Sequence, residues 1–296
     1  MNWYTALPLV AFVLEFALGI VALQRDWRSF LHRIFAAFLF SMSLWSLTIF
    51  GMRSSPDLAH ARAWERLVMA TFPLIGVTFF HFTLRFSGLK VRRRTLAGIY
   101  LMALVFVALG TTSLVVQGMQ TRFYGYAPIL GPLFFPYIAY PHGLYFAGLV
   151  NLIRTYRLAS SADDRNRAAY IIGGMAALAL GATSDYLPAM GFHNYPMGIL
   201  AGLLFASFTA VAMLNYHLLD IHLMLRRGLA YTMVSALAVG IYLTAVFIAS
   251  QVGQVRVMPV AGRIAVIIVI AVLFHPLLRL AQERVDRWFY RERLGH

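Results

Sequence analysis

The chain contains no cysteine, a single lysine and few acids. Asp and Glu together number 11 against 25 basic residues, and Lys90 is the only lysine. Without cysteine, disulfides, thiolate catalysis and cysteine-ligated metals are excluded. His-Glu-x-x-His, P-loop and Gly-x-Ser-x-Gly motifs are also missing, so catalytic chemistry has no visible seat. Charged residues make up only 12% of the chain, against about 25% in a soluble domain. Apolar residues replace them: 60% are hydrophobic and mean hydropathy is +0.72. Several runs of about 20 apolar residues are each long enough to cross the hydrocarbon core as a helix. The fold class expected is therefore an all-α polytopic membrane bundle.

Nine spans are predicted, at about 3–24, 32–51, 67–86, 96–117, 133–153, 168–190, 196–216, 229–252 and 258–278. Only helices or closed barrels satisfy backbone groups in lipid, and long unbroken apolar runs select helices. The first run, "MNWYTALPLVAFVLEF", lacks a basic leader and a small-residue cleavage site, so it reads as a span rather than a signal peptide. With the N-terminus outside, 19 of the 25 basic residues fall on cytoplasmic segments, and the C-terminus is cytoplasmic. The net charge of +14 then reflects loops held against anionic lipid. Nucleic acid is not an expected partner, because no soluble basic stretch is interleaved with aromatics.

Outer segments carry more than turns. "RSSPDLAHARAWERL" has a cap pattern at Ser55, Pro56 and Asp57 and is predicted to form a short interfacial helix. "MQTRFYGYAPILGPLFFPY" and "SDYLPAMGFHNYPMG" are aromatic, proline-bearing loops. They suit an interfacial aromatic belt or the roof of a ligand pocket. Near mid-span stand Glu15 and, beside Pro141, His142; an ionisable residue there marks a site or a packing lock. The two are candidates to pair at one depth, with Pro141 kinking its helix toward a cavity. His81 reads as packing between helices. Paired histidines for haem are not found at one depth, and no metal or cofactor is expected.

The stretch "NYHLLDIHLMLRRG" follows the seventh span. His217 and His222, five apart, do not share a helical face, so it reads as a cytoplasmic joint rather than a metal site. Asp220 is placed to cap the piece that follows, and Arg226 and Arg227 obey the positive-inside pattern. The domains expected are a seven-span module at 1–216, a junction at 217–228 and a two-span output segment at 229–278. An amphipathic exit helix at 279–296 either lies on the membrane or pairs with a partner helix.

Several stretches in order resemble a known family. "WERLVMATFPLIGVTFFHFTLRFSG", "YGYAPILGPLF", "RNRAAYIIGGMAALALGATSDYLPAMG", "LNYHLLDIHLMLRRGLAYTMVSAL" and "LFHPLLRLAQERVDRWFYRERLGH" are similar to the membrane region of bacterial sensor histidine kinases with an N-terminal seven-helix module. Tyr124 stands where that family often has Trp. The resemblance covers about residues 60–296 and implies a sensory module of the bacterial cytoplasmic membrane that works as a dimer or with a signalling partner. Such kinases continue into a phosphoacceptor helix and an ATP-binding domain, and neither is found in the 296 residues, so the chain is not expected to be an enzyme.

The function expected is binding of a small or lipid-like ligand among the helices, relayed to a cytoplasmic partner. The expected ligand residues are Glu15, Tyr124, Tyr126, His142, Asp185, Tyr186 and His193. The expected junction residues are His217, Asp220, Arg226 and Arg227. The alternatives are an accessory subunit of a larger membrane complex or a transporter; against transport, no inverted repeat or matched pair of broken helices is found.

Overall fold

The computed structural model describes residues 3–190 and 195–215. These residues form seven helices and one hairpin. The helices are α1 (Trp3–Arg25), α2 (Phe30–Arg53), α3 (Leu58–Phe86), α4 (Arg93–Gly110), α5 (Phe134–Leu158), α6 (Ala162–Ser184) and α7 (Gly198–Asn215). Strands β1 (Val116–Arg122) and β2 (Gly125–Leu130) lie between α4 and α5, and a 3-10 turn, Leu187–Met190, follows α6. Helices α1 to α4 are long and apolar enough to cross a membrane. The 24 residues of α2 reach about 36 Å at 1.5 Å per residue.

The packing closes on itself. Helix α1 lies against α2 and α7, α2 against α3, α3 against α5, α5 against α6, and α6 against α7. Helix α4 sits outside this ring, against α3 and, more sparsely, α5. It buries only Ala103 and Gly110, and Leu101, Met102, Leu104 and Val105 face outward. In the core, Phe38 meets Phe79 at 5.3 Å and Phe205 at 5.4 Å between ring centroids, joining α2, α3 and α7. Lipid tails are as apolar as these rings, so close packing rather than burial from water holds such helices together. Small residues permit it. A Cβ added at Gly181 of α6 would lie 2.2 Å from the Cβ of Ala201 on α7, and one at Gly76 of α3 would lie 2.9 Å from the Cα of Pro141 on α5.

Three expectations change. The segment expected as a separate interfacial helix is the first part of α3, which runs unbroken from Leu58 through Pro73 to Phe86. Asp57 caps it, accepting the His60 amide at 2.9 Å. The span expected at 96–117 stops at Gly110, and its last residues enter β1. The aromatic loop after it is a hairpin, with Thr121 opposite Tyr126 and Arg122 opposite Gly125. Gly125 has φ +120°, and a Cβ there would lie 3.1 Å from the Arg53 carbonyl, so both backbone and space favour glycine. The junction 217–228, with its residues His217, Asp220, Arg226 and Arg227, lies outside the described residues, as do the two-span segment 229–278 and the exit helix 279–296.

Candidate functional site

A cavity of about 420 Å³ opens at the hairpin end of the bundle, among α2, α3, α5 and α6 and under β2. Pockets of roughly 300–1,000 Å³ suit small ligands. Most of the wall is apolar, from residues such as Met42, Val68, Phe72, Ile138, Leu149 and Met175. Polar groups enter it at a few points: Arg53, Glu65, Tyr124, Tyr126, His142, Tyr145, Asp185 and Tyr186 all line it.

Each polar group is placed by a local cause. His142 follows Pro141 on α5, and its Nδ1 lies 2.7 Å from the Ile138 carbonyl one turn back. A carbonyl only accepts, so Nδ1 carries a hydrogen. The Tyr186 hydroxyl lies 3.4 Å from its Nε2. Asp185 ends α6 and turns its carboxylate to the start of α7, where Oδ1 accepts the Gly198 amide at 2.7 Å. Ser184 accepts the Met197 amide at 2.9 Å beside it. Together they cap α7, whose first amides have no partners within the helix. Tyr124 is buried in the hairpin turn. Burial pushes its phenol up to about 12, against the opposing pull of Arg53 and Arg122.

Arg53, the last residue of α2, is the centre of the polar side. Its Nη1 donates to the Tyr195 hydroxyl at 2.7 Å and to the Tyr4 carbonyl at 3.4 Å. Its guanidinium carbon lies 5.5 Å from the Tyr124 ring centre and 5.1 Å from that of Tyr195, within cation–π range. Glu65 enters from α3. Its Oε1 and the Nε of Arg53 are both buried with no hydrogen-bond partner among the described residues.

Five of the seven expected ligand residues thus border one cavity: Tyr124, Tyr126, His142, Asp185 and Tyr186. Glu15 does not border it. Its Oε2 accepts the Ser46 hydroxyl at 2.8 Å, and its Oε1 points toward Gly202, so it sits at the junction of α1, α2 and α7. The expected Glu15–His142 pair is therefore not formed: the two carry different partners, Ser46 for one and Ile138 and Tyr186 for the other. His193 lies outside the described residues. His81 bonds Tyr100 through Nδ1 at 2.8 Å, joining α3 to α4 away from the cavity. Arg53 and Glu65 were not expected. Charges near span ends read as interface anchors, and only the fold turns these two inward.

Residues 7–222 match the N-terminal 7TM region of histidine kinase. The chain belongs to that family. Its seven described helices and its hairpin all fall within or overlap the matched part of this 7TM region. No curated protein and no solved structure matches the chain. As a histidine-kinase 7TM region with helices apolar enough to cross a membrane, it is a multi-pass membrane protein of sensory type, in contact with lipid.

Proposed function

We propose that the 7TM region is a receptor whose ligand occupies the cavity under the hairpin. The observation that carries this is the apolar cavity of about 420 Å³ with polar side chains at its hairpin end. A ligand moves an equilibrium only when it binds two packings with different affinity. The cavity supports such a difference because its walls come from four helices and the hairpin, so any shift between these elements changes its shape. Under this reading the domain plan is 1–216 for sensing, 217–228 as joint, 229–278 as a two-span output and 279–296 as exit helix. The full topology is nine spans, with the N-terminus outside, the C-terminus inside, and the hairpin outside the bacterial cytoplasmic membrane. Output passes to a second copy or to a cytoplasmic signalling partner, and no residue is given a catalytic role.

Native mass spectrometry of the full chain in a neutral detergent tests the reading. The expected result is a bound small molecule or lipid that is lost in Ala182→Trp, a substitution that fills the cavity. An unliganded wild type that binds none of a set of apolar amphiphiles would overturn it.

A further inference from the structure

Two residues that line one cavity each carry an unmet polar atom, and the two atoms are of opposite kinds. The Arg53 Nε–H is a donor with no acceptor, and Glu65 Oε1 has no partner. Arg53 is 6% exposed and Glu65 2%, so bulk solvent barely reaches either. Buried polar groups are normally satisfied, and a native exception calls for an explanation. No carboxylate lies within 4 Å of Arg53 among the described residues. Asp185, which lines the same cavity, gives its Oδ1 to the first amide of α7. Tyr195, Tyr4 and the two tyrosine rings hold the guanidinium on one side, which leaves its Nε edge for another group.

Resting on the receptor reading above, we propose that the cavity takes an amphiphilic acid. Its oxyanion lies on the free edge of Arg53, its apolar chain runs along Val68, Phe72 and Met175, and a hydroxyl or amide N–H on that chain donates to Glu65. Arginine suits the head because its planar fork matches an oxyanion better than a lysine would. The tyrosine rings keep water from the pair, which strengthens a charge-assisted hydrogen bond. The oxyanion comes either from a free fatty-acid-like molecule or from an anionic lipid.

The test is a titration of the full chain in neutral detergent at neutral pH, read by tryptophan fluorescence, since Trp45 borders the cavity. The probes are decanoate, 3-hydroxydecanoate, decanol and decylamine. Decanoate is expected to bind saturably and about tenfold or more tighter than decanol, the effect of one charge-assisted hydrogen bond, and 3-hydroxydecanoate tighter still. Arg53→Gln should erase the preference of decanoate over decanol, and Glu65→Leu, which removes the acceptor, the gain from the hydroxyl. Wild type alone decides the main point if Arg53→Gln does not fold. Decanol binding as well as decanoate, or decylamine binding tighter, overturns the acid while leaving the receptor reading intact. Binding of none of the four overturns both. Mass spectrometry of the purified protein separates the sources: a retained phospholipid displaced by decanoate assigns the oxyanion to lipid, and an empty cavity that decanoate fills assigns it to a free acid.

Discussion

The Ser46 hydroxyl donates a 2.8 Å hydrogen bond to Glu15, locking α1 to α2 through a carboxyl that is only 1% exposed. Ser46→Ala leaves that carboxyl oxygen without its donor. Polar bonds between helices in membranes are worth about 1–2 kcal/mol or less, and an orphaned buried acceptor costs about 1–3 kcal/mol. The expected outcome is a lower denaturation midpoint in mixed micelles, with cavity binding unchanged at temperatures where the protein is folded. Loss of binding at full stability would place Glu15 in the site after all.

Asp185 is expected to act through the cap of α7. Asp185→Asn keeps an oxygen for the Gly198 amide and should hold most of the stability. Asp185→Ala removes the oxygen and should cost about 1 kcal/mol. Circular dichroism melts of the two variants make the comparison. Equal losses in both would show that charge, rather than the hydrogen bond, is what matters there.

Gly181 has no room for a side chain, since Ala201 occupies the place of its Cβ. Gly181→Val is expected to push α6 from α7 and destabilise by about 1–3 kcal/mol, the usual cost of overpacking. Gly98 on the outer helix α4 has nothing within 4 Å of an added Cβ. Gly98→Ala should therefore be neutral or slightly stabilising in the same denaturation assay.

Asp57 supplies a pH dependence outside the spans. The His60 backbone amide, joined by the His60 ring, holds its carboxyl below the usual range. A carboxyl lowered in the folded state stabilises above its unfolded value, about 3.9, and that stabilisation fades as pH falls through the folded value. The wild type should therefore outlast Asp57→Ala at neutral pH, with the gap closing in acid. A gap that stays constant down to the acid limit would remove the carboxylate from the account.

Orientation is open to direct labelling, because the sequence has no cysteine of its own. A single cysteine at Ser55, in the turn between α2 and α3, is expected to react with an impermeant maleimide in intact cells. One at Ser160, between α5 and α6, should react only after the membrane is opened. The reverse pattern would invert the topology.

Much of the bundle was legible because a helix in lipid announces itself by length and composition. The spans expected at 32–51 and 67–86 fall within α2 and α3. Asp57 was legible as a cap because its signature is local. The hairpin was not: an apolar run through Val115 and Val116 looks the same to hydropathy whether helix or strand, and Thr111 and Thr112, where α4 ends, carry no charge to interrupt it. Tyr124, Tyr126, His142, Asp185 and Tyr186 stood out as polar or aromatic residues in aromatic and proline-rich surroundings. Glu65 did not, since "ARAWERL" reads as a surface helix until α3 proves continuous. The partner of Glu15 was equally hidden, because nothing in a sequence says which of several serines faces a carboxyl thirty-one positions away.

The hairpin is joined to more than the two helices it connects. Gly125 lies against the end of α2, the Tyr126 hydroxyl lies 3.4 Å from the Pro56 carbonyl, and Arg122 donates to the Pro188 carbonyl at 3.0 Å. One small ribbon therefore acts as a strap across the mouth of the bundle, tying together two segments distant from it in sequence, the α2–α3 turn and the turn after α6. Straps carry tension. An occupant that wedges α2 from the turn after α6 must load this ribbon or break its anchor at Pro188, so removing the Arg122 side chain, which is not part of the cavity wall, should loosen the mouth.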